Sequence, residues 1–542
     1  MNAAQAPSAG KNIGIMPSSL CDDQLSSPPQ QPSPRPTAEK HTYGQILKSS
    51  ALVGGSSGLN IVIGIVRTKA MAMLLGPAGF GLAGVYGSIA DLAQNIAGVG
   101  INSSGVRQIA EAVASNDTGR IGLTISVLRR TSIVLGVLGA ALLVLFSGQV
   151  STLTFSNNQH GRAISVLSIV VLLKLVSGGQ SALIQGTRRI ADFAKVGVLS
   201  ALFGTVISIP IIYFLREKGV VLYLVAVAAT TLVTSWWYSR KIQVPVTPIP
   251  EAELRREAAG LLKLGFAFMS SGLMTMGVAY VVRIALLRKV GVEATGLYQS
   301  AWVLGGLYIS FILQAMGADF YPRLTAHSKD NTACNRLVNE QARVGLLLAG
   351  PGVIATLTFA PVVIALFYTA KFGNAVGILR WICLGTTLQV ITWPMGFIIL
   401  AKGKQKIFFW SEVAWAAVSL ALAWVCVRWF GLNGAGIAFF GSYVFHGFLT
   451  YPIARHLSGF RWSGANRKTG MLFLFLIAFV FCASNLLPFP LATSLGVLAV
   501  LLSTAYSIRV LVKLVSLEQI PRPMLRLLAG LGFVPSAATA GN

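Results

Sequence analysis

From residue 51 to 508 the chain is a succession of long apolar runs separated by short polar connections. A helix needs about 20 apolar residues to cross the hydrocarbon core of a bilayer, and it satisfies its own backbone hydrogen bonds, as lipid demands. The runs predict about fourteen spans. Six lie near 45–75, 80–103, 131–149, 163–185, 194–214 and 219–238, and six near 264–287, 296–318, 344–367, 377–400, 408–428 and 433–452. A last pair covers 470–487 and 490–508. The longest polar connection, 239–263 (SRKIQVPVTPIPEAELRREAAGLLK), falls after the sixth run and divides a twelve-span body into two halves. This predicts a tail over 1–43, an N half over 44–238, a linker over 239–263 and a C half over 264–455. An extra helix pair within 456–515 and a second tail over 516–542 complete the chain.

The halves repeat each other weakly. The first opens with VRTKAMAMLLGPAGFGL and the second with VRIALLRKVGVEATGL. In each, an arginine (Arg67, Arg283) is followed eight or nine residues later by a glycine, and then by a Gly-Leu pair, Gly81-Leu82 or Gly296-Leu297. Six spans per half is an even number, so the repeats share one orientation, as in parallel-repeat transporters.

Composition agrees with the class: 54% of the 542 residues are hydrophobic and only 11% are charged, against about 25% charged in soluble domains. The net charge of +26 would suggest nucleic acid as partner in a soluble protein. Here it follows the retention of Lys and Arg on the cytoplasmic side. With the N-terminus cytoplasmic, 31 of the 43 Lys and Arg fall on the side of the termini and eight on the other. Both termini are therefore expected in the cytoplasm, and no nucleic acid is implied. The Pro/Ser-rich residues 1–43 (SSPPQQPSPRPTAEK) lack a signal-peptide core and read as a disordered tail. Cys21, Cys334, Cys383, Cys426 and Cys482 are scattered, with no CxxC, and read as apolar packing residues.

Four cations remain inside the runs: Arg67 and Lys69 in span one, Lys174 in span four and Arg283 in span seven. Charges at lipid depth usually face a wet cavity and mark a substrate or ion path. Snorkelling to an interface is the alternative for Lys69 and Arg283, which lie near a span end. Asp91 is the deeply placed acid, with Gln94, Asn95 and Asn102 at helical spacings on one face of span two. It is a candidate for an ion pair with Arg67 or for carrying a proton. A cation surplus favours an anionic ligand, and phosphate fits, because arginine offers a bidentate fork and lysine a point charge. The polar groups of span eight, Tyr298, Gln299, Tyr308, Gln314 and Tyr321, are candidates for sugar contacts, although packing suits most of them.

No HExxH or Walker A pattern occurs, and no loop on the outer side is long enough to hold a catalytic domain. Neither enzyme chemistry, a cofactor nor a metal is indicated.

Three ordered segments resemble a known family: LGPAGFGLAGVYGSIADLAQNIAGVGINSSGVRQIAE, VAYVVRIALLRKVGVEATGLYQSAWVLGGLYISFILQAMGADFYPRLTAHSKD and LRWICLGTTLQVITWPMGFIILAKGKQKIFFWSEV. They are similar to Wzx-type O-antigen and enterobacterial-common-antigen translocases of the multidrug/oligosaccharidyl-lipid/polysaccharide exporter superfamily, over about residues 43–455. The resemblance implies an all-α, MATE-like fold, two six-helix lobes in a V around a central cavity. It implies flipping of undecaprenyl-pyrophosphate-linked oligosaccharide across the bacterial inner membrane, with the lipid-linked oligosaccharide and membrane lipid as partners. A polysaccharide polymerase and a chain-length regulator are candidate partners as well. By matching position, the headgroup role falls on Arg67 and Arg283, with Lys174 and Lys69 as further candidates. An ion-coupled drug or cation antiporter of the same superfamily is the competing expectation, though it calls for acids in the cavity. The N-terminal tail and the last two spans lie outside the family core.

Overall fold

A computed structural model describes residues 36–115, 118–242, 251–315, 320–514 and 529, with side chains resolved from Ser56 onward apart from scattered positions. The expected tails lie almost wholly outside the described residues, as do 243–250 of the linker. The chain divides into two compact units, residues 1–51 and 52–542, and everything below concerns the second.

Every regular element among the described residues is helical. In the N half these are α1 (Pro36–Gly98), α2 (Ile101–Ala114), α3 (Thr118–Leu145), α4 (Ser147–Phe155), α5 (Gly161–Gly186), α6 (Ile190–Leu215) and α7 (Val220–Ser239). The C half holds α8 (Glu251–Lys289), α9 (Val292–Ala315), α10 (Tyr321–Ala326), α11 (Asn331–Thr358), α12 (Ala360–Phe367), α13 (Ala375–Ala401), α14 (Gln405–Phe430) and α15 (Gly434–Ser458). The additional pair is α16 (Gly464–Leu486) and α17 (Phe489–Leu514).

Eight helical stretches among the described residues are long and apolar enough to cross a membrane, and a bent pair, α11 and α12 at 83°, makes a ninth. Three of the eight are 41, 50 and 54 residues long, well beyond one crossing, and each contains a break. The breaks are Gly76, the 3-10 turn Arg216–Gly219 and the 3-10 turn Gly431–Asn433. Helices α8 and α9, over the expected runs 264–287 and 296–318, fall outside that count. A count by length and composition therefore does not by itself establish the fourteen expected spans.

Local chemistry explains the breaks. Gly76 has φ 65° and ψ −173°, a backbone region costly for any side chain, and Pro77 disfavours helix in the residue before it. Nothing lies within 4 Å of where its Cβ would be, so conformation, not space, requires the glycine. At the matching place in the C half, Gly291 between α8 and α9 has φ 115°. The glycine that follows each repeat arginine is therefore the turn between two helices.

A second break corrects the reading of span two. Val99 and Gly100 have φ 44° and 65° and end α1, so Asn102 belongs to α2. The helical spacing from Asp91 to Asn102 thus does not run through one helix. Asn95 packs against Gly272 of α8, whereas Asn102 packs against Gly178 of α5. Residues 251–263, read from their charges as linker, form the first turns of α8.

In the N half α5 packs against α2, α3 and α7, and α6 packs against α7. In the C half α13 is central, touching α9, α11 and α15. Helix α8 joins them, lying against α2, α3 and α4 on one side and α9 and α14 on the other. The last two helices dock on α11, where fully buried Phe473 fills the space beside Gly350 and Gly496 meets Thr358. One apolar core runs from Met71 through both halves to Ala499.

Candidate functional site

The halves meet closely at the end of the bundle marked by Gly76. Gly81 and Gly296 face each other main chain to main chain: a Cβ on Gly81 would lie 2.3 Å from the Val292 carbonyl oxygen, and one on Gly296 only 1.8 Å from that of Pro77. Beside them Phe80 stacks edge-on against Tyr368 and Phe372 of the C half, with centroids 5.5 and 5.9 Å away. Tyr280 shares a 2.7 Å hydrogen bond with Thr154, and Arg288 donates to the Thr152 and Leu153 carbonyls. Lys69 donates to the carbonyls of Ala365 and Leu366 at 3.0 and 2.6 Å. These belong to the last turn of α12, where carbonyls lack helical partners and the dipole favours a cation.

Further into the bundle lie the other charges expected from the sequence. Lys174 donates to Asp91 at 2.5 Å, and the two side chains are 34% and 51% exposed. Asp91 pairs with Lys174, then, and not with Arg67. Arg67 is half-buried on α1, with its Nη1 beside Gly204 of α6, and it shares with Asp91 an electrostatic influence on Tyr223 of α7. Among the described residues no hydrogen-bond or ion-pair partner meets Arg67. Asp91 also lies within electrostatic reach of Arg283. Lys174 thus contacts Asp91 directly, Arg283 feels its charge, and Arg67 and Asp91 both act on Tyr223.

Arg283 is only 6% exposed, and among the described residues no acid is bonded to it. Gln299 of α9 accepts from its Nε and Nη2 at 3.0 and 2.7 Å, the Ala279 carbonyl accepts from Nη1 at 2.9 Å, and the Tyr298 ring lies 5.8 Å away. The amide oxygen and the carbonyl that accept from this guanidinium carry no formal charge of their own. Gln299, one of the span-eight candidates for sugar contact or packing, accepts from Arg283 and orients it. Nothing in the sequence spacing reveals this, since the two sit on helices joined by a turn.

Of the polar residues expected beside Asp91, Gln94 is half-buried, and the buried Asn95 and Asn102 side-chain oxygens meet no hydrogen-bond partner among the described residues. Tyr308 and Gln314 have side chains outside the described residues. No group of three or more His, Cys, Asp or Glu that could hold a metal occurs among the described residues.

The C half contains a cleft that the sequence did not announce. Two cavities, of about 210 and 290 Å³, share Thr275, Gln389, Trp415 and Tyr443. The first begins at Ala279 and Tyr298, beside Arg283, and the second ends at Glu412 and His446.

These features define a polytopic α-helical membrane protein of two packed halves, with an excess of positive charge where the halves meet. The fold is the MATE-like one. An inward-facing multidrug MATE transporter of the MOP superfamily aligns with a TM-score of 0.61 at 16% identity, covering 76% of this chain and 96% of that one. The lipid II flippase MurJ in an inward closed conformation aligns with a TM-score of 0.63 at 13% identity, covering 85% and 99%. In sequence, the chain is 22% identical over 404 residues to the lipid III flippase of Escherichia coli (strain K12), spanning 74% of this chain and 95% of that protein. The chain belongs to the polysaccharide biosynthesis protein family, whose pattern it matches over residues 70–377.

Proposed function

We propose that this protein is a flippase that carries an undecaprenyl-pyrophosphate-linked oligosaccharide, an O-antigen or similar repeat unit, from the cytoplasmic to the periplasmic leaflet of the bacterial inner membrane. The observation that carries the reading is a buried Arg283 held by neutral acceptors, with Arg67 and the Lys174–Asp91 pair in the same electrostatic neighbourhood. A pyrophosphate leaving water needs fixed positive charge, since an uncompensated anion in a low-dielectric interior costs far more than binding returns. Two arginine forks and a lysine supply it, with the prenyl tail remaining in lipid. The family, and the likeness to a protein named a lipid III flippase, support the same substrate class.

The charge distribution supports an orientation with both termini in the cytoplasm and the Gly76 end toward the periplasm. On that orientation the protein is closed outward, and the headgroup enters from the cytoplasmic side. Lys69 holds the closed end through α12; when the halves part there, its ammonium is freed beside the departing phosphates.

Arg67→Ala and Arg283→Ala, compared with wild type at equal protein level, should each cut surface polysaccharide at least ten-fold, while Arg→Lys at either position retains part of the output. Wild-type output from both alanine variants would remove the electrostatic basis of the reading.

A further inference from the structure

We propose that the cleft inside the C half is a carbohydrate subsite that holds sugar units of the substrate; this rests on the flippase reading above. The two cavities share four residues and so form one passage, of a size within the roughly 300–1,000 Å³ of small-molecule sites. It starts next to Arg283 and runs away from it, so a pyrophosphate at the arginine would direct its attached sugar into the opening.

The lining matches a sugar. Trp302, Trp393 and Trp415 are among the lining residues, and an indole suits the C–H faces of a pyranose. Between them, Gln389, Glu412 and His446 supply hydrogen-bonding groups for hydroxyls.

Trp415 carries the argument furthest. It is only 9% exposed and lines both cavities, and among the described residues its buried indole N–H meets no acceptor. A buried tryptophan ordinarily finds a partner for that group, and leaving it unmade costs about 1–3 kcal/mol. The nitrogen is sealed from the cleft as it stands, and a turn of the ring toward a ligand hydroxyl or acetamido oxygen would satisfy it.

Competing occupants fit less well. A prenyl chain would leave the same N–H and the Glu412 carboxyl unpaired. A phosphate would find no arginine or lysine among the lining residues, and a metal would find a single carboxylate.

The test uses the full chain in lipid nanodiscs, titrated with undecaprenyl pyrophosphate bearing a trisaccharide and with bare undecaprenyl pyrophosphate. Trp415→Phe keeps the ring and removes the N–H, and Gln389→Met keeps the volume and removes the amide. Each should weaken binding of the glycosylated lipid about ten-fold and leave binding of the bare lipid unchanged. Equal weakening of both lipids, or no change in either, overturns the subsite while the flippase reading stands. Failure of the wild-type protein to bind either lipid overturns both.

Discussion

Replacing Gly296 with alanine tests whether the Gly76 end closes by direct backbone contact. The new Cβ would lie 1.8 Å from the Pro77 carbonyl oxygen and 2.9 Å from the Gly81 nitrogen. Non-bonded heavy atoms settle about 3.5 Å apart, so the two helices must separate by more than about 1 Å. The obstacle is main chain on both sides, and no rotamer change relieves it. Overpacking of this kind costs about 1–3 kcal/mol, which shifts a two-state equilibrium about 5- to 150-fold away from the closed arrangement. Spin labels at Asn157 and Val290, both exposed at that end and on opposite halves, report the change. In a background free of native cysteines, reconstituted in lipid, electron-electron double resonance should show the longer inter-label distances gaining population in Gly296→Ala. Gly81→Ala, whose Cβ would meet the Val292 carbonyl oxygen at 2.3 Å, should act in the same direction. A distance distribution equal to wild type in both variants refutes the reasoning.

Three further outcomes follow from the same geometry. Lys69→Met removes two charge-assisted bonds to the end of α12 and should shift the same distances outward by a smaller amount, about 1 kcal/mol of the closed state; an unchanged distribution would show that the contact does not hold the halves together. The Asp91–Lys174 pair is half-exposed, so Asp91→Asn should change thermal stability by less than about 1 kcal/mol while lowering transport, and a large loss of melting temperature would contradict a functional role. Phe473→Ala should destabilise the docking of α16 on α11 by about 3 kcal/mol through the emptied space beside Gly350, read as lower thermal stability in detergent; wild-type melting would show that the helix pair is not held there.

The helical membrane class was legible in the chain because lipid admits few backbone arrangements, and apolar runs mark them directly. Charged residues at lipid depth were legible for the same reason: Arg67, Lys69, Lys174 and Arg283 stand out because their surroundings should exclude them. Even the breaks could be read in part. The glycines that follow Arg67 and Arg283 in the repeat are the positive-φ turns Gly76 and Gly291, and such backbone angles leave a residue-type signature.

Partners could not be read this way. That Asp91 would meet Lys174 rather than Arg67, that Gln299 would hold Arg283, and that Lys69 would reach the carbonyls of α12 depend on how helices far apart in the chain rotate and cross. The turn at Val99–Gly100 shows the sensitivity, since one break sent Asn102 to a different neighbour from Asn95. The contact of Gly81 with Gly296 and the cleft around Trp415 likewise exist only once the halves are packed. A helix's own chemistry gives its length and its polar face; the identity of what that face meets is an energy shared among several helices, and the folded protein settles it.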